Sequence, residues 1–318
     1  MAFNAQKFIE EQSEKARKAM GEGRAIIALS GGVDSSVCAA LMARAIGKNL
    51  EAIFVDTGLM REKEGEKVKA MAKRAGINLK VVDASSQFFL ALKGVEDPEK
   101  KRKIIGEQFI RVFEKEAKQY GATFLVQGTI APDWIESGGA GRHTIKSHHN
   151  VGGLPKKMGL KLYEPLRDCY KHEVRLLAKE LGLPPEIADR QPFPGPGLAV
   201  RIVGGITAEK AEIARKCCAI VEEEIEKAAA SNSAELPWQY FAALLPTKTV
   251  GVRGDERSYQ FTVVVRAVRS LDGMTANFSH LPPDLLQKIS SRITNEVRDV
   301  GRVLYDITNK PPSTVELE

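Results

Sequence analysis

The sequence predicts an α/β fold: a doubly wound parallel sheet covered by helices, followed by a smaller α+β domain. Two observations support this prediction. Short apolar runs alternate with helix-periodic stretches through residues 1–190, as they do in repeated strand–helix–strand units. Residues 191–197 then hold three prolines and two glycines, which exclude a helix or a central strand. We therefore predict two domains, residues 1–190 and residues 191–318.

The elements of the first predicted domain follow from hydrophobic periodicity. Apolar residues from Phe8 to Met20 recur at helical spacing and predict an opening helix that ends at Gly21. The apolar run Ala25–Leu29, bounded by turn residues, predicts a buried strand. Further strands are predicted at Leu50–Val55, Leu79–Asp83 and Thr123–Val126. Helical patterns cover residues 37–45, 61–75, 98–120 and 170–181. The stretch Gln127–Gly159 has no clear period, and loops of that length are usually functional or mobile.

The second predicted domain has a different character. Helical patterns lie at Thr207–Ala230 and Pro282–Val297, and strand patterns lie at Tyr259–Val268 and Arg302–Asp306. We interpret these elements as an α+β domain. The apolar run Phe261–Val265 suits a buried sheet.

Composition favours a globular intracellular protein. The 318 residues are 43% hydrophobic and 28% charged, which allows sizeable cores and argues against global disorder. An aromatic content of only 6% argues against an RNA-binding surface built on base stacking. Four cysteines cannot form a disulfide framework for a chain of this length. Neither a signal peptide nor an apolar run of about 20 residues is present, so we expect a soluble cytoplasmic protein without a membrane partner.

The net charge of +6 is unevenly distributed along the chain. Residues 1–190 hold 32 basic and 25 acidic residues, a net charge of +7, whereas residues 191–318 hold 15 and 16, a net charge of −1. A site that handles polyanionic nucleotides predicts such a split. A generic solvated surface would also produce it.

The motif that carries the chemistry is Ser30-Gly-Gly-Val-Asp-Ser-Ser36, directly after the first predicted strand. Its two glycines allow a tight turn and a close approach of the backbone to a ligand. The amides of the turn and of the following helix N-terminus are unpaired donors in a positive potential. Its serines add hydroxyl donors, and the carboxylate of Asp34 suits Mg²⁺ better than it suits phosphate. The motif therefore predicts an anion cradle with a metal ligand beside it.

Other structures could account for parts of this motif. An N-capped helix after a glycine-rich turn, with Asp34 or Ser35 as the cap, would need no ligand. A Walker A motif is absent, because Gly47-Lys48 is followed by Asn49. The glycine pattern of dinucleotide-binding folds is also missing after the first strand, which disfavours NAD(P).

Ser30–Ser36 resembles the PP-loop of the ATP pyrophosphatases, which cut ATP between its α and β phosphates. Six further segments resemble GMP synthetase, in the right order over nearly the whole chain. They are Gln127–Ser137, Ile145–Pro155, Pro192–Gly197, Gly251–Asp255, Asp272–Ala276 and Lys310–Glu316. The familiar enzyme also carries an N-terminal glutaminase domain of about 200 residues, for which the 29 residues before Ser30 leave no room. The chain is therefore similar to the separate synthetase subunit of a two-subunit enzyme.

The resemblance implies a ligase that uses ATP as co-substrate with Mg²⁺. In the family reaction, XMP is adenylated, pyrophosphate leaves, and ammonia then displaces AMP to give GMP. A separate glutamine amidotransferase subunit would supply the ammonia, and the second domain would form a homodimer. A different substrate, tRNA, is the alternative for a PP-loop enzyme, but the near-neutral second domain and the lack of a Cys-x-x-Cys pair argue against nucleic acid. A non-catalytic nucleotide sensor on the same fold is disfavoured by the intact motif.

The resemblance also assigns residues. The ATP-binding set is Ser30, Gly31, Gly32, Val33, Asp34, Ser35, Ser36 and Val55, of which Val55 would bring its backbone to adenine. The catalytic residues would be Asp34, as the Mg²⁺ ligand, and Lys146, as a movable charge on a lid over the phosphates. The XMP-binding residues would be Lys310 at the phosphate, Glu316 at ribose or base, and Gln239 as a weaker candidate.

Four polar residues of the 127–159 stretch stay without an assigned role. His148 and His149 are adjacent and lack Cys or carboxylate partners at ligand spacing, so a zinc site is disfavoured and they are interpreted as lid structure. For Asp133 and Glu136 three roles stay open: they would face the metal, face the ammonia path, or cap a helix near Trp134.

Overall fold

A computed structural model of the chain describes residues 3–131, 159–188, 190–271 and 273–318. Its contacts divide the chain into two compact units. The first unit comprises Met1–Asp56, Lys63–Ala84 and Gly106–Arg190. The second comprises Thr57–Glu62, Ser85–Ile105 and Gln191–Glu318. Each unit therefore draws on separate stretches of sequence.

The helices and strands alternate in the first half of the chain and cluster in the second. The helices are α1 (Ala5–Met20), α2 (Val33–Ile46), α3 (Glu64–Arg74), α4 (Ser85–Ala91), α5 (Pro98–Tyr120), α6 (Lys171–Glu180), α7 (Pro185–Ala188), α8 (Ala208–Ala230) and α9 (Pro283–Glu296). The strands are β1 (Ala25–Ala28), β2 (Leu50–Asp56), β3 (Leu79–Asp83), β4 (Phe124–Val126), β5 (Lys161–Tyr163), β6 (Gln239–Arg253), β7 (Glu256–Arg269), β8 (Asn277–Phe278) and β9 (Val300–Tyr305). Within the described residues, no helix is long and apolar enough to cross a membrane.

The first unit is built on a parallel sheet with strand order β3-β2-β1-β4-β5. Ala25 of β1 pairs with Leu50 on one side and with Phe124 on the other, both in parallel. The chain first moves from β1 to β3 and then returns past β1 to β4. The right-handed rule for such crossovers assigns α2 and α3 to one face of the sheet and the C-terminal part of α5 to the other. This arrangement confirms the predicted doubly wound parallel sheet. The three-residue strand β5 was not predicted, because it is too short to show a period.

Burial explains why these segments form these elements. Ala25, Ile26 and Ile27 of β1 are almost fully buried, as expected for the central strand of a sheet covered on both faces. Helix α1 buries Ile9, Ser13, Ala16 and Met20, a spacing that follows the helical repeat and gives one inward stripe. Helices α1, α2 and α6 pack against one another.

The second unit contains a mixed sheet centred on β7. Strand β6 pairs with β7 in antiparallel register, β9 pairs with it in parallel, and β8 pairs in antiparallel register near its end. The strands and helices of this unit confirm the predicted α+β class. The long strand β6 was missed, because Pro246 interrupts its pattern where the register shifts between Leu244 and Lys248.

The segment 57–62 belongs to the second unit, although it directly follows β2. Arg215 of α8 donates to the carbonyl of Gly58 at 2.6 Å and to that of Met60 at 3.1 Å. The charged helix predicted from residue 61 begins at Glu64 instead, because Arg61 donates to the carbonyls of Gln191 and Pro192, each at 3.1 Å.

Candidate active site

The predicted phosphate loop lies between β1 and the N-terminus of α2 in the first unit. β1 is flanked by β2 on one side and β4 on the other, so the order of strands reverses at its edge. Open α/β sheets bind ligands beyond the carboxyl ends of the strands at this kind of switch point. The loop therefore lies where this fold binds its ligands.

The two glycines of the loop have different roles. Gly31 has a φ of +77°, and a Cβ on it would lie 2.1 Å from Oε1 of Glu64. Gly32 is the N-cap of α2 with a φ of −79°, and no side chain caps the helix there. The first backbone bond of the helix runs from the amide of Ser36 to the carbonyl of Gly32 at 3.1 Å. The amides of residues 33–35 precede that bond and form the donor end of the helix.

The hydroxyl groups of the loop are linked to one another. The Oγ atoms of Ser30 and Ser35 lie 3.0 Å apart, and Ser35 also donates to the carbonyl of Gly32 at 3.1 Å. Ser36 is completely buried, and its hydroxyl donates to the carbonyl of Gly32 at 2.8 Å. Ser30 and Ser35 are accessible to solvent, whereas Ser36 supports the loop from within.

The strand on the other side of β1 brings a glycine close to the loop. A Cβ on Gly128, two residues after β4, would lie 2.9 Å from the carbonyl oxygen of Asp34 and 3.1 Å from the amide nitrogen of Ser35. Cys38 of α2 donates to the carbonyl of Gln127 at 3.5 Å. The segment Gln127-Gly128, the start of one of the family-like segments, therefore packs against the first turn of α2.

Asp34 has a partner that was not predicted from the sequence. The Nζ atom of Lys171, the first residue of α6, lies 2.9 Å from Oδ1 and 2.6 Å from Oδ2 of Asp34. The side chain of Lys171 is 47% exposed and that of Asp34 is 28% exposed. A lysine 137 residues away in the sequence leaves no local pattern that would have identified it.

Asp34 is a suitable ligand for Mg²⁺ carried by a nucleotide. The described residues contain no group of three or more His, Cys, Asp or Glu side chains that would hold a metal on their own. Mg²⁺, however, is usually bound through one or two carboxylates together with substrate phosphates. A partly exposed carboxylate at the donor end of α2 meets that requirement.

Val55 lies near the carboxyl end of β2 with its side chain buried in the core. It pairs with Val82 of β3, and the carbonyl of the next residue, Asp56, accepts a bond from Ala84 at 2.9 Å. Packing therefore accounts for the side chain of Val55. Its expected backbone contact with adenine stays a prediction.

A partly buried ion pair contacts the loop at Gly31. Arg190 donates to both carboxylate oxygens of Glu64, the first residue of α3. The same guanidinium lies 3.4 Å from the carbonyl of Gly31. Glu64 is only 3% exposed, so its carboxylate fills the space that a side chain on Gly31 would need. This pair was not predicted, because Glu64 looks like one more charge on a charged helix.

In the second unit, the structure brings together two of the three predicted XMP residues. Gln239, at the start of β6, donates to Oε1 of Glu316 at 2.7 Å. Arg201 donates to both oxygens of Glu316, at 3.1 and 3.2 Å. Burial works against the charge of Arg201, but the Glu316 carboxylate outweighs it and raises the pKa of Arg201 above its usual value. Arg201 was not predicted.

The third predicted XMP residue, Lys310, lies in a separate set of contacts. Its Nζ donates to the carbonyl of Gly273 at 2.7 Å. Its backbone exchanges two hydrogen bonds with Ala276, at 2.7 and 2.9 Å. The residue as a whole is partly exposed.

Several predicted residues lie outside the described residues. They are Lys146, Asp133, Trp134, Glu136, His148 and His149. Their expected roles stay predictions.

The four cysteines are all free and buried. Burial raises the pKa of the Cys169 thiol to about 12 and raises the pKa of Cys38, Cys217 and Cys218 above the usual range. Because only the thiolate is a good nucleophile, burial makes all four thiols poor nucleophiles. The chemistry that the site supports is anion binding and charge neutralisation.

Two family models match the chain. Residues 223–317 match the model described as GMP synthase C terminal domain. Residues 24–104, which include the phosphate loop, match the model described as Queuosine biosynthesis protein QueC.

Two solved structures of synthetases align with the chain. An NMN synthetase from Francisella tularensis aligns with a TM-score of 0.49 and 18% identity, over 66% of this chain and 85% of that one. An NH3-dependent NAD synthetase from Campylobacter jejuni aligns with a TM-score of 0.48 and 16% identity, over 73% and 86%. The family of this chain is therefore assigned from the sequence comparisons and not from these two structural alignments.

Curated relatives match this chain over nearly its whole length. The B subunit of GMP synthase (glutamine-hydrolyzing) from Thermococcus kodakarensis is 62% identical over 98% of this chain and 99% of its own. The protein of the same name from Methanocaldococcus jannaschii is 57% identical over 99% and 100%. GMP synthase (glutamine-hydrolyzing) of Thermotoga petrophila is 56% identical over 98% of this chain, but the match spans only 62% of that longer protein. The chain belongs to the family formed by the B subunits of glutamine-hydrolyzing GMP synthase.

Proposed function

We propose that this chain catalyses the ATP-dependent amination of XMP to GMP, with ammonia supplied by a separate glutamine amidotransferase subunit. Membership in the B-subunit family, at 55–62% identity, is the observation that carries this proposal. The loop at the switch point of the sheet supplies the anion cradle that such a ligase needs. The four buried thiols support a division of labour in which another subunit hydrolyses glutamine.

The reaction proceeds in two displacements. The O2 atom of XMP attacks the α-phosphorus of ATP, which forms a P–O bond and releases pyrophosphate. Ammonia then attacks C2 of the adenylylated purine, the C–O bond breaks, and AMP leaves with that oxygen while the nitrogen loses a proton. Adenylation is needed because an amide-like oxygen is a poor leaving group. Catalysis is then mainly positioning and neutralisation of developing charge.

The loop binds the pyrophosphate end of ATP in this proposal. Gly31 and Gly32 let the backbone approach the phosphates, to which the amides of residues 33–35 and the accessible hydroxyls of Ser30 and Ser35 donate. Ser36 holds the turn by its bond to Gly32, and the Val33 side chain is buried beneath it. Val55 contributes backbone contacts to adenine at the end of β2.

Asp34 exchanges its partner when the nucleotide binds. In this structure its carboxylate is neutralised by Lys171, and both groups are accessible to solvent. Asp34 and the phosphates would together hold Mg²⁺, which supplies positive charge to the departing pyrophosphate. Lys171, released from Asp34, then neutralises a phosphate oxygen. Lys146 is proposed to add a further charge from the 127–159 stretch.

The second unit is proposed to bind XMP through Lys310, Glu316 and Gln239. Lys310 is the cation for the nucleotide phosphate, since the residue is partly exposed and its ammonium group carries three donors, one of which bonds to the carbonyl of Gly273. Glu316 and Gln239 contact each other and offer oxygens to ribose or base.

The same unit is proposed to form a homodimer. The hairpin of β6 and β7 exposes three large apolar side chains, Val250, Val252 and Tyr259, and exposed apolar clusters are typical of association surfaces. Because this function uses soluble nucleotides, we place the enzyme in the cytoplasm.

The decisive experiment follows GMP formation by the purified chain. With ATP, Mg²⁺, XMP and ammonium we expect GMP, AMP and pyrophosphate in equal amounts, and with glutamine in place of ammonium we expect none. Addition of a glutaminase subunit should restore the use of glutamine. Hydrolysis of glutamine by the chain alone would contradict the proposed division of labour. Modification of tRNA without GMP formation would favour the alternative substrate.

A further inference from the structure

Among the residues of the second unit whose burial the structure describes, three cations are completely buried, and all three contact the same stretch of chain. Lys101, Arg201 and Arg266 have no exposed surface. Each has partners in residues 306–318, called here the closing segment. This segment contains Lys310 and Glu316, two of the residues proposed to bind XMP. Burial of three positive charges against one segment indicates that its placement is specified in detail.

Arg266 of β7 anchors the first part of the closing segment. Its guanidinium donates to the carbonyls of Thr308, Thr314 and Val315 and to the hydroxyl of Ser313, at 2.8 to 3.0 Å. It also lies 2.9 Å from the carboxylate of Asp306. These contacts satisfy the donors of the guanidinium and fold the segment around it.

Arg201 anchors the segment through Glu316, directly after the residues that Arg266 binds. Its charge lies against the rings of Phe193 and Phe241, with ring centroids 5.1 and 4.2 Å away. The two hydrogen bonds to Glu316 supply the opposite charge. Glu316 is thereby fixed in orientation.

Lys101 anchors the far part of the segment. Its Nζ contacts Oε2 of Glu318 and donates to the carbonyl of Ile202 at 2.9 Å. The other oxygen of Glu318 accepts a bond from the amide of Gly204 at 2.8 Å. The Lys101 side chain is 0% exposed and that of Glu318 is 6% exposed. Neither group is therefore open to solvent or to a ligand.

A buried ion pair of this kind is a costly way to stabilise a protein. Loss of one partner leaves an uncompensated charge, whereas exchange of both for neutral groups of similar size is often harmless. Burial lowers the pKa of Lys101, and the contact with Glu318 opposes this effect. The pair is thus better suited to fixing a position than to adding stability.

We propose that Lys101 and Glu318 are a positioning pair that holds the closing segment in the conformation required for XMP binding. The inference rests on the proposed function, because it takes Lys310 and Glu316 as XMP contacts. Lys101 and Glu318 do not touch the substrate themselves. They act through Glu316, two residues from Glu318, and through the backbone pairing of Lys310 with Ala276. Weakening the pair therefore impairs XMP binding and leaves ATP binding intact.

The test compares Lys101→Met, Glu318→Gln and the double variant with Lys100→Met as a matched control on the same helix. Each single variant is expected to raise the KM for XMP by about tenfold or more, because one buried charge loses its partner, and to change the KM for ATP by less than about twofold. The double variant should recover most of the affinity for XMP. Lys100 is exposed, so its variant should behave as the wild type.

A second readout needs no catalysis. The backbone amides of Lys310 and Ala276 each donate to the carbonyl of the other residue. Hydrogen exchange of these two amides should accelerate in each single variant and slow again in the double variant. Unchanged exchange in both single variants would overturn the inference, as would equal increases of both KM values or a double variant no better than the singles. Absence of GMP formation by the wild type would refute the proposed function instead, and the exchange measurement would still decide about the pair. If Lys101→Met does not fold, Glu318→Gln alone carries the test.

Discussion

Gly31 shows how a single position links the fold to the phosphate loop. Its positive φ and the nearby Glu64 carboxylate both exclude a side chain, and Arg190 holds that carboxylate in place. Gly32, one residue later, has an ordinary φ, and a Cβ added there would meet only the Ser30 hydroxyl, at 3.3 Å, among the described residues. The structure therefore excludes a side chain at Gly31 and leaves room for one at Gly32.

We predict that Gly31→Ala destabilises the protein by about 1–3 kcal/mol and abolishes ATP-dependent activity, because the strained turn must shift. Gly32→Ala is the matched control and should unfold near the wild-type urea concentration. Unfolding curves and pyrophosphate release measure the two effects. Equal unfolding midpoints of the two variants would contradict the role given to Glu64, whereas pyrophosphate release is compared only between Gly31→Ala and the wild type.

Asp34 carries the second prediction at this scale. Asp34→Asn should reduce pyrophosphate release by at least about 100-fold, because the amide no longer offers a charged ligand for Mg²⁺. The fold should persist, since the side chain is partly exposed and its ion pair with Lys171 lies at the surface. Asp168→Asn, a change at an exposed residue of the same unit, is the control. Near-normal pyrophosphate release by the Asp34→Asn variant would exclude the assignment.

Lys310 tests the proposed XMP site. Lys310→Ala should raise the KM for XMP by about tenfold or more while the KM for ATP stays within about twofold, because a charged hydrogen bond to one substrate is lost. Lys216→Ala on the exposed face of α8 serves as the control. Steady-state kinetics with each substrate varied in turn gives both values. A parallel rise in the two KM values would speak against a site specific for XMP.

The site could be predicted from the sequence only where its residues are neighbours in the chain. The loop at residues 30–36 forms one continuous motif, and its place after β1 follows from the apolar run before it. Lys171, Arg190 and Arg201 were missed because their carboxylate partners lie 115 to 137 residues away. Ion pairs across such distances leave no periodicity.

At the scale of elements, helices α8 and α9 are joined by an ion-pair network. Hydrogen bonds from Lys227 and Arg292 lower the pKa of Glu223 to about 2. Burial raises the pKa of Glu224, but hydrogen bonds from Lys288 and Arg292 outweigh it, and the pKa is lowered. Both carboxylates are therefore more acidic in the folded protein than in the unfolded chain.

This network makes the contact of α8 with α9 sensitive to acid. Because the folded pKa of Glu223 lies below its ordinary value of 4.5, the stabilisation is complete above about pH 4.5 and is lost as the pH falls toward 2. Arg292→Met should cost about 1–3 kcal/mol at neutral pH, since Glu224 loses a donor. The difference from the wild type should shrink across that acid range in thermal unfolding experiments. A difference that stays constant with pH would exclude the network as its cause, and Lys216→Met on α8 is the control.

Elements were predictable where packing imposes a simple period. Strands β1, β2 and β4 are mostly buried and mainly apolar, and α1 and α8 show a clear helical face. Strand β3, at the edge of the sheet, has no fully buried residue. Strand β6 escaped because Pro246 and the register shift break its alternation. The start of α3 was placed three residues early, because the charge of Arg61 fits a helix surface as well as it fits the carbonyls that it binds.

At the scale of the whole molecule, the prediction concerns the nitrogen donor of the reaction. In the proposed function the chain alone depends on free ammonia, a minor species at neutral pH. We predict that GMP formation from ammonium salts rises toward about pH 9, as the fraction of deprotonated amine increases. With a glutaminase subunit and glutamine, the same rise should be absent, because ammonia is then delivered directly. Initial rates at fixed total ammonium measure the effect, and a flat profile would contradict use of free ammonia.

The interleaving of the two units along the chain constrains how such a gene can be divided. The polypeptide changes unit at residues 56/57, 62/63, 84/85, 105/106 and 190/191. A gene fragment that ends at residue 190 encodes Gly58 and Met60 without Arg215, which binds their carbonyls. Neither unit can therefore be exchanged between genes by a single recombination event. Fusion of another domain at either end of the chain, by contrast, would leave the residues of both units intact.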